Sequence, residues 1–220
     1  MIAGAKRWNW TAAAAVLGFT VSFGLSGVLR WPRPAFVAAW GVVVLLFFGL
    51  YLTLERVDFR IQLRRHWKAG VWIGLVIGSL LAFQVYGQPA SNRSTGLRLI
   101  AELAGYGVGY GLVDALILSV IPALTLYGAQ STEVLRSPSA RLGWALAALA
   151  ACGLITAAYH AGFGEFRGPA LFRPIIGNLL VTLAYLLSGS PIAACLAHIL
   201  MHMAAVLRGI ESTLQLPPHF

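Results

Sequence analysis

Long apolar runs alternate with short polar segments along the chain. Each run holds about 20 residues, the length that an α-helix needs to cross the ~30 Å hydrocarbon core of a bilayer. The runs do not alternate apolar and polar residues, as the strands of a membrane β-barrel do. We therefore predict an all-α fold, a polytopic transmembrane helical bundle with about seven spans. The predicted spans cover residues 11–29, 35–54, 69–86, 97–127, 142–159, 175–187 and a last run from Pro191 to about residue 207.

The composition supports a membrane protein and leaves no room for a large soluble domain. Hydrophobic residues make up 59% of the 220-residue chain and charged residues 10%, whereas soluble domains carry roughly 25% charged residues. We therefore interpret residues 1–220 as a single transmembrane domain whose partner is the lipid bilayer. The formal net charge of +9 does not indicate nucleic acid, because Lys and Arg in membrane-protein loops contact anionic headgroups.

The most polar segment, residues 55–68, indicates how the chain is oriented. Arg56, Arg60 and Arg64 recur every four residues, so we predict that they share one helical face at the cytoplasmic leaflet. The N-terminus is then cytoplasmic, with nine basic residues inside and seven outside, and the protein belongs to a bacterial-type inner membrane. Docking of an acidic partner or a lipid headgroup is an alternative role for this segment.

Few ionisable residues fall within the predicted spans, and each one is a candidate functional residue. Asp114 has apolar residues on both sides in the fourth predicted span, and His160 ends the fifth. His198 and His202 lie four residues apart in the last span, so their side chains share one helical face. We predict that these four residues meet in a buried hydrophilic pocket. Glu102 lies roughly 18 Å along the helix from Asp114 and is predicted to be interfacial.

Such a pocket has two chemically sensible uses. A carboxylate and histidines can activate water for hydrolysis. The same groups can hold a divalent metal ion with an open coordination position, and the spacing of His198 and His202 suits zinc. The helix lacks the Glu of an H-E-x-x-H motif. A structural role, with the ring bonded to a backbone carbonyl, is the alternative for His160 because it lies at a span end.

The C-terminal half of the chain resembles the CPBP (CAAX protease and bacteriocin-processing, or Abi) family of intramembrane proteases. The family pattern is a Glu-Glu-x-x-x-Arg helix, Phe-x-x-x-His, a short span that ends in a Thr/Ser-Gly-Ser turn, and His-x-x-x-Asn. Here His160 matches the second motif, Ser188-Gly189-Ser190 matches the turn, and His198 matches the last motif. The resemblance covers about half the chain, residues 110–207.

Each of the three motifs departs from the family pattern. His202 stands in place of the Asn and Thr156 in place of the Phe. In the first motif only Val113-Asp114 is found, with Leu118 where the Arg is expected. Aspartate is one methylene shorter than glutamate, and a misplacement of about 1 Å can lower a catalysed rate by about a hundredfold.

The resemblance implies a helical core at residues 97–207, with residues 11–95 as N-terminal spans and a basic cytoplasmic segment. It further implies an endopeptidase that hydrolyses a membrane peptide substrate. Asp114 with His160 would activate the water, and His198 with His202 would stabilise the oxyanion.

The alternative is a catalytically degenerate relative that serves as an accessory or structural subunit and binds partner membrane subunits. Its contacts would come from the small-xxx-small spacing of Gly105 and Gly109, which predicts close approach of another helix.

Overall fold

The computed structural model describes residues 2–130, 133–211 and 214–217, with side chains from residue 7 onward. Within these ranges seven helices are long and apolar enough to cross a membrane, and no β-strand occurs. The predicted all-α transmembrane bundle is therefore confirmed. We number the helices span 1 to span 7; they cover Arg7–Val28, Arg33–Leu54, Trp67–Tyr86, Gly96–Val120, Pro138–Ala161, Gly168–Ser188 and Pro191–Arg208.

Span 4 combines two types of helical turn. The α-helical segments Gly96–Glu102 and Gly111–Asp114 alternate with the π-helical segments Leu103–Tyr110 and Ala115–Val120, and a further π-helical segment, Ala123–Gly128, follows. π-turns are rare in proteins and are frequent at functional sites. Asp114 is the last residue of the short α-helical segment between two of them.

Span 6 begins earlier than the predicted boundary at residue 175. Two short 3-10 turns, Gly164–Phe166 and Gly168–Leu171, lead into the α-helix Phe172–Ser188. Pro174 falls in the first turn of that helix. Backbone N–H groups there have no intrahelical acceptor, so a proline, which lacks the N–H, removes no hydrogen bond.

Span 7 packs tightly against span 3. It begins with Pro191 at the first helical position, where the fixed φ of proline suits a helix start. Gly70, Gly74 and Gly78 form a stripe on span 3, and a Cβ atom at Gly74 would lie 2.9 Å from the carbonyl oxygen of Ala193. Glycine at four-residue spacing therefore brings the two helix backbones together.

A second pair of glycines brings span 4 against span 7. A Cβ atom at Gly107 would lie 2.9 Å from the side chain of Met203, and one at Gly111 would lie 3.0 Å from Cα of Ile199. Gly105, by contrast, has open space where a Cβ atom would be. Within this chain span 4 presents Gly107 and Gly111 to span 7. The predicted approach of a partner helix at Gly105 and Gly109 stays a prediction.

The basic segment contains a short helix, Phe59–Arg64, between spans 2 and 3. Its N-cap is Asp58, whose Oδ1 accepts hydrogen bonds from the backbone N–H of Arg60 at 3.0 Å and of Ile61 at 3.2 Å. Arg60 and Arg64 share this helix. Arg56 precedes the cap and has a left-handed φ of 53°, so the predicted three-arginine face is wrong for Arg56.

Candidate functional site

Asp114 is buried at the centre of the bundle and is held by an aromatic cluster. Its Oδ1 accepts a hydrogen bond of 2.8 Å from the indole Nε1 of Trp40 on span 2. The Trp40 ring stacks on Tyr159 of span 5 at a centroid distance of 4.7 Å. The Tyr159 hydroxyl lies 2.7 Å from the hydroxyl of Tyr110. The carboxylate is therefore oriented by Trp40 of span 2, which in turn packs on Tyr159 of span 5.

His198 and His202 face the carboxylate from span 7, as their spacing predicts. Their rings are nearly parallel, with centroids 5.5 Å apart and an interplanar angle of 21°. Nε2 of His202 lies 3.8 Å from Oδ2 of Asp114, which is longer than a direct hydrogen bond. The edge of Tyr110 packs against the His202 ring at 5.0 Å. Asp114, His198 and His202 are each at most 4% exposed.

Asn178 of span 6 sets the tautomer of His198. Its Nδ2 donates to the carbonyl oxygen of Pro174 at 3.1 Å, and a carbonyl can only accept, so this bond fixes the amide orientation. The Asn178 Oδ1 then lies 2.7 Å from Nε2 of His198, which must carry the proton. In the neutral ring, Nδ1 of His198 is left with a free lone pair. Asn178 therefore joins spans 6 and 7 as a hydrogen-bond acceptor.

His160 lies at the edge of the site. Its Nδ1 lies 2.9 Å from the carbonyl oxygen of Thr156 one turn earlier, so Nδ1 is the donor and Nε2 of the neutral ring is an acceptor. Its ring packs edge-on against Phe166 at 5.0 Å. His160 is not a member of the three-residue group formed by Asp114, His198 and His202.

A cavity of about 610 Å³ connects the four predicted residues with the protein surface. Asp114, His160, His198 and His202 all line it. Its wall also contains Gln88, Pro89 and Gln215, which follow the C-terminal ends of spans 3 and 7. The cavity therefore extends from the middle of the bundle towards the face opposite the basic segment.

The C-terminal tail lies across the mouth of this cavity. The backbone N–H of Leu214 donates to Oε1 of Gln88 at 3.3 Å, and Nε of Arg208 donates to the Gln88 carbonyl at 2.9 Å. Arg33 donates to the carbonyl oxygens of Ile210 at 2.7 Å and Pro217 at 2.6 Å. These bonds attach the tail to the ends of spans 2 and 3.

A second cavity of about 820 Å³ lies at the other face of the bundle. Its wall combines apolar side chains with Arg65, His66 and Arg141. It lies next to the basic segment 55–68 and is lined by none of the four predicted site residues.

All four predicted site residues line one cavity, and three of them form a compact group. Asp114, His198 and His202 form the buried group, and His160 shares the cavity with them. Glu102 belongs elsewhere, since its Oε1 accepts from Arg98 at 3.0 Å and from Ser94 at 2.9 Å.

Sequence reasoning missed the aromatic residues of the site. Trp40, Tyr110 and Tyr159 were not predicted as site residues, although a buried indole N–H or phenol needs a hydrogen-bond partner. The chain has seven tryptophans, and the sequence around Trp40 does not distinguish it from the other six. A buried aspartate without a basic residue nearby in sequence was the one indication that a neutral donor must come from another span.

No protein-family model matches this chain, and neither a curated protein sequence nor a solved structure does. The CPBP resemblance therefore stays a prediction.

Proposed function

We propose that the chain is an intramembrane endopeptidase whose hydrolytic site contains Asp114, His198 and His202. One observation carries the proposal: an acid and two imidazole rings from spans 4 and 7 lie within 4.8 Å of one another on the wall of a cavity that reaches the surface. Burying an ionisable group in a membrane span costs free energy, so such groups commonly mark functional sites. The assignment of a peptide as substrate rests on the sequence resemblance.

The proposed reaction is addition of water to a peptide carbonyl. Asp114 and His202 lie 3.8 Å apart, atom to atom, which leaves room for a water molecule that donates to one and is oriented by the other. As this pair takes up the proton, the water oxygen bonds to the carbonyl carbon. The proton then passes to the leaving nitrogen as the C–N bond breaks, and the products are a carboxylic acid and an amine.

The hydrogen bonds change the roles expected from the resemblance. His198 and His160 both donate their N–H to protein acceptors, the Oδ1 of Asn178 and the Thr156 carbonyl oxygen. In their neutral forms these rings offer lone pairs and no donor to a developing oxyanion. In this proposal His202 replaces His160 as the partner of Asp114, while His160 is a second base on the cavity wall.

The orientation forms part of the proposal. We assign the basic segment 55–68 to the cytoplasmic side of a bacterial-type inner membrane. The cavity then opens towards the opposite side of that membrane. A fluorescent reporter fused after Arg64 would then fold in the cytoplasm, and an alkaline phosphatase fused there would be inactive. The reverse pattern would contradict this assignment.

The test is cleavage of a membrane-peptide library by the full-length chain in proteoliposomes. We expect products by mass spectrometry from the wild type and a loss of about 10²-fold or more in Asp114→Asn and His202→Gln, because each removes a proton acceptor. Glu102→Gln is the matched control: it neutralises a buried carboxylate on the same span outside the cavity, and we expect near-wild-type cleavage.

Two outcomes would contradict the peptidase. One is a wild-type protein that is folded and cleaves nothing in the library. The other is cleavage that Asp114→Asn leaves unchanged. Either result favours the accessory or structural subunit, a role that the substitutions of the family motif at Asp114 and Leu118 also favour.

A further inference from the structure

We propose that Asp114, His198 and His202 bind a divalent transition-metal ion, with zinc as the best-suited ion. The inference concerns the same site as the proposed function. Only the use of the ion in hydrolysis rests on that proposed function. Binding itself depends on the geometry of three side chains and is measurable without any hydrolysis.

The arrangement of the three donor atoms fits a small cation. One ligand atom from each residue lies within 4.8 Å of the other two. On a tetrahedral zinc ion with bonds of roughly 2.0–2.2 Å, ligand atoms lie about 3.4 Å apart. The Asp114 to His202 separation of 3.8 Å is already near that value, so small side-chain rotations would complete the site.

The balance of donors and acceptors around the site also indicates a cation. Nδ1 of His198 and both ring nitrogens of His202 are buried and have no hydrogen-bond partner among the described residues. A buried polar atom without a hydrogen-bond partner is unfavourable, because it has lost its hydrogen bonds to water. The Nδ1 lone pair of His198 and the carboxylate of Asp114 are acceptors, so a positive ion satisfies them together.

Each of two proposed ligands has the supporting contact that metal ligands usually have. A metal-binding histidine commonly donates its other N–H to a carbonyl or carboxylate oxygen, which fixes the tautomer and the ring orientation. His198 does so to Asn178 at 2.7 Å. Asp114 is held through Oδ1 by Trp40 at 2.8 Å, which leaves Oδ2 for the ion.

The ligand types select the class of ion. Two imidazoles and one carboxylate suit zinc and other first-row transition ions and are a poor match for Mg²⁺ or Ca²⁺, which prefer oxygen ligands. Two neutral imidazoles and one carboxylate carry a single negative charge, so a divalent ion is not over-neutralised. Three protein ligands leave a fourth position open to the cavity, as in catalytic zinc sites.

A bound ion would supply what the side chains lack for hydrolysis. It acts as the electrophile for the carbonyl oxygen and acidifies a coordinated water. His160, with its Nε2 lone pair on the same cavity wall, would accept the proton from that water.

The test is metal content and affinity of the full-length protein in nanodiscs. We expect about one zinc per chain after incubation with Zn²⁺ and removal of free metal, and visible absorption bands of tetrahedral cobalt after loading with Co²⁺. Asp114→Asn and His202→Gln should lose the bound ion. His160→Gln, which changes a histidine on the same wall outside the group, should retain it.

A variant that keeps all three ligands tests the site even if the ligand variants do not fold. Trp40→Phe keeps an aromatic ring against Tyr159 but removes the N–H that holds Asp114, along with part of the indole. It should weaken zinc binding about 10–100-fold in a chelator competition. Far-UV circular dichroism and gel filtration establish that each variant is folded.

The outcomes separate this inference from the proposed function. Folded wild-type protein that binds no Zn²⁺ or Co²⁺ would overturn the metal site, and so would binding that Asp114→Asn and His202→Gln leave unchanged. Cleavage that persists after a bound ion has been removed would support the peptidase and overturn the catalytic use of the ion. Stoichiometric, ligand-dependent binding without cleavage of any peptide would support the site and contradict the peptidase.

Discussion

Asn178 determines which nitrogen of His198 carries the proton. Its own orientation follows from the bond to the Pro174 carbonyl at 3.1 Å, and its Oδ1 receives the His198 N–H at 2.7 Å. A single sequence contains Asn178 and His198 but not the contact between spans 6 and 7 that connects them. The tautomer of a histidine depends on such a partner, so it could not be predicted.

We therefore expect Asn178→Ala to act on His198 rather than on span 6 alone. The buried N–H of His198 loses its acceptor, which lowers the free energy of unfolding by about 1–3 kcal/mol. The ¹⁵N NMR spectrum of labelled histidine should show a change in the His198 tautomer populations. Leu187→Ala is the control, because Leu187 lies on the same span and is 64% exposed; its effect should stay within about 0.5 kcal/mol. An unchanged His198 signal in Asn178→Ala would contradict this account.

The helix contacts around the site depend on glycines that leave space for a neighbouring backbone. Gly105, Gly107, Gly109 and Gly111 alternate along span 4, so the sequence offers two equivalent stripes at four-residue spacing. The π-helical turns on both sides of Gly111–Asp114 change which residues share a face. A pattern based on regular α-helical geometry therefore could not select Gly107 and Gly111 over the other pair.

Alanine substitution of these glycines gives a matched comparison within one span. The added Cβ of Gly111→Ala would lie 3.0 Å from Cα of Ile199 and 3.2 Å from the carbonyl oxygen of His198, whereas Gly105→Ala meets open space. We expect Gly111→Ala to be destabilising by about 1–3 kcal/mol and to lower zinc affinity by displacing span 7. Thermal unfolding in nanodiscs measures the first effect, and Gly105→Ala should unfold like the wild type. Equal melting temperatures for the two variants would argue against a close contact at Gly111.

At the scale of the whole molecule, the sequence predicts the class of fold better than the site. Apolar runs of about 20 residues suffice to predict seven membrane helices, because a bilayer imposes one length on every span. Asp114, His198 and His202 were identified because ionisable residues are rare at membrane depth. No local pattern encodes how five helices pack. That packing determines the convergence of these three residues, the separate position of His160 and the contact of Trp40 with Asp114.

The bundle also explains why the site can be polar inside an apolar protein. Large apolar side chains such as Phe83 and Leu46, at 78% and 69% exposure, cover the outside, as expected of helices in contact with lipid. The polar groups of the site face inward and share one cavity that reaches the surface. The site is therefore connected to the protein surface by this cavity rather than through the lipid-facing side of the bundle.

The central claim is that spans 4 and 7 bring the carboxylate of Asp114 to the imidazole of His202. The chain contains two aspartates, Asp58 and Asp114, so selective ¹³C labelling of aspartate with ¹⁵N labelling of histidine gives a sparse solid-state NMR experiment in bilayers. In the Asp58→Asn variant a single labelled aspartate carboxylate remains. We predict a dipolar coupling between this carboxylate carbon and a histidine nitrogen, because Oδ2 of Asp114 lies 3.8 Å from Nε2 of His202. The coupling should fall sharply in His202→Gln. A carboxylate that shows no coupling to any histidine nitrogen, in protein that is folded in the bilayer, would contradict the account.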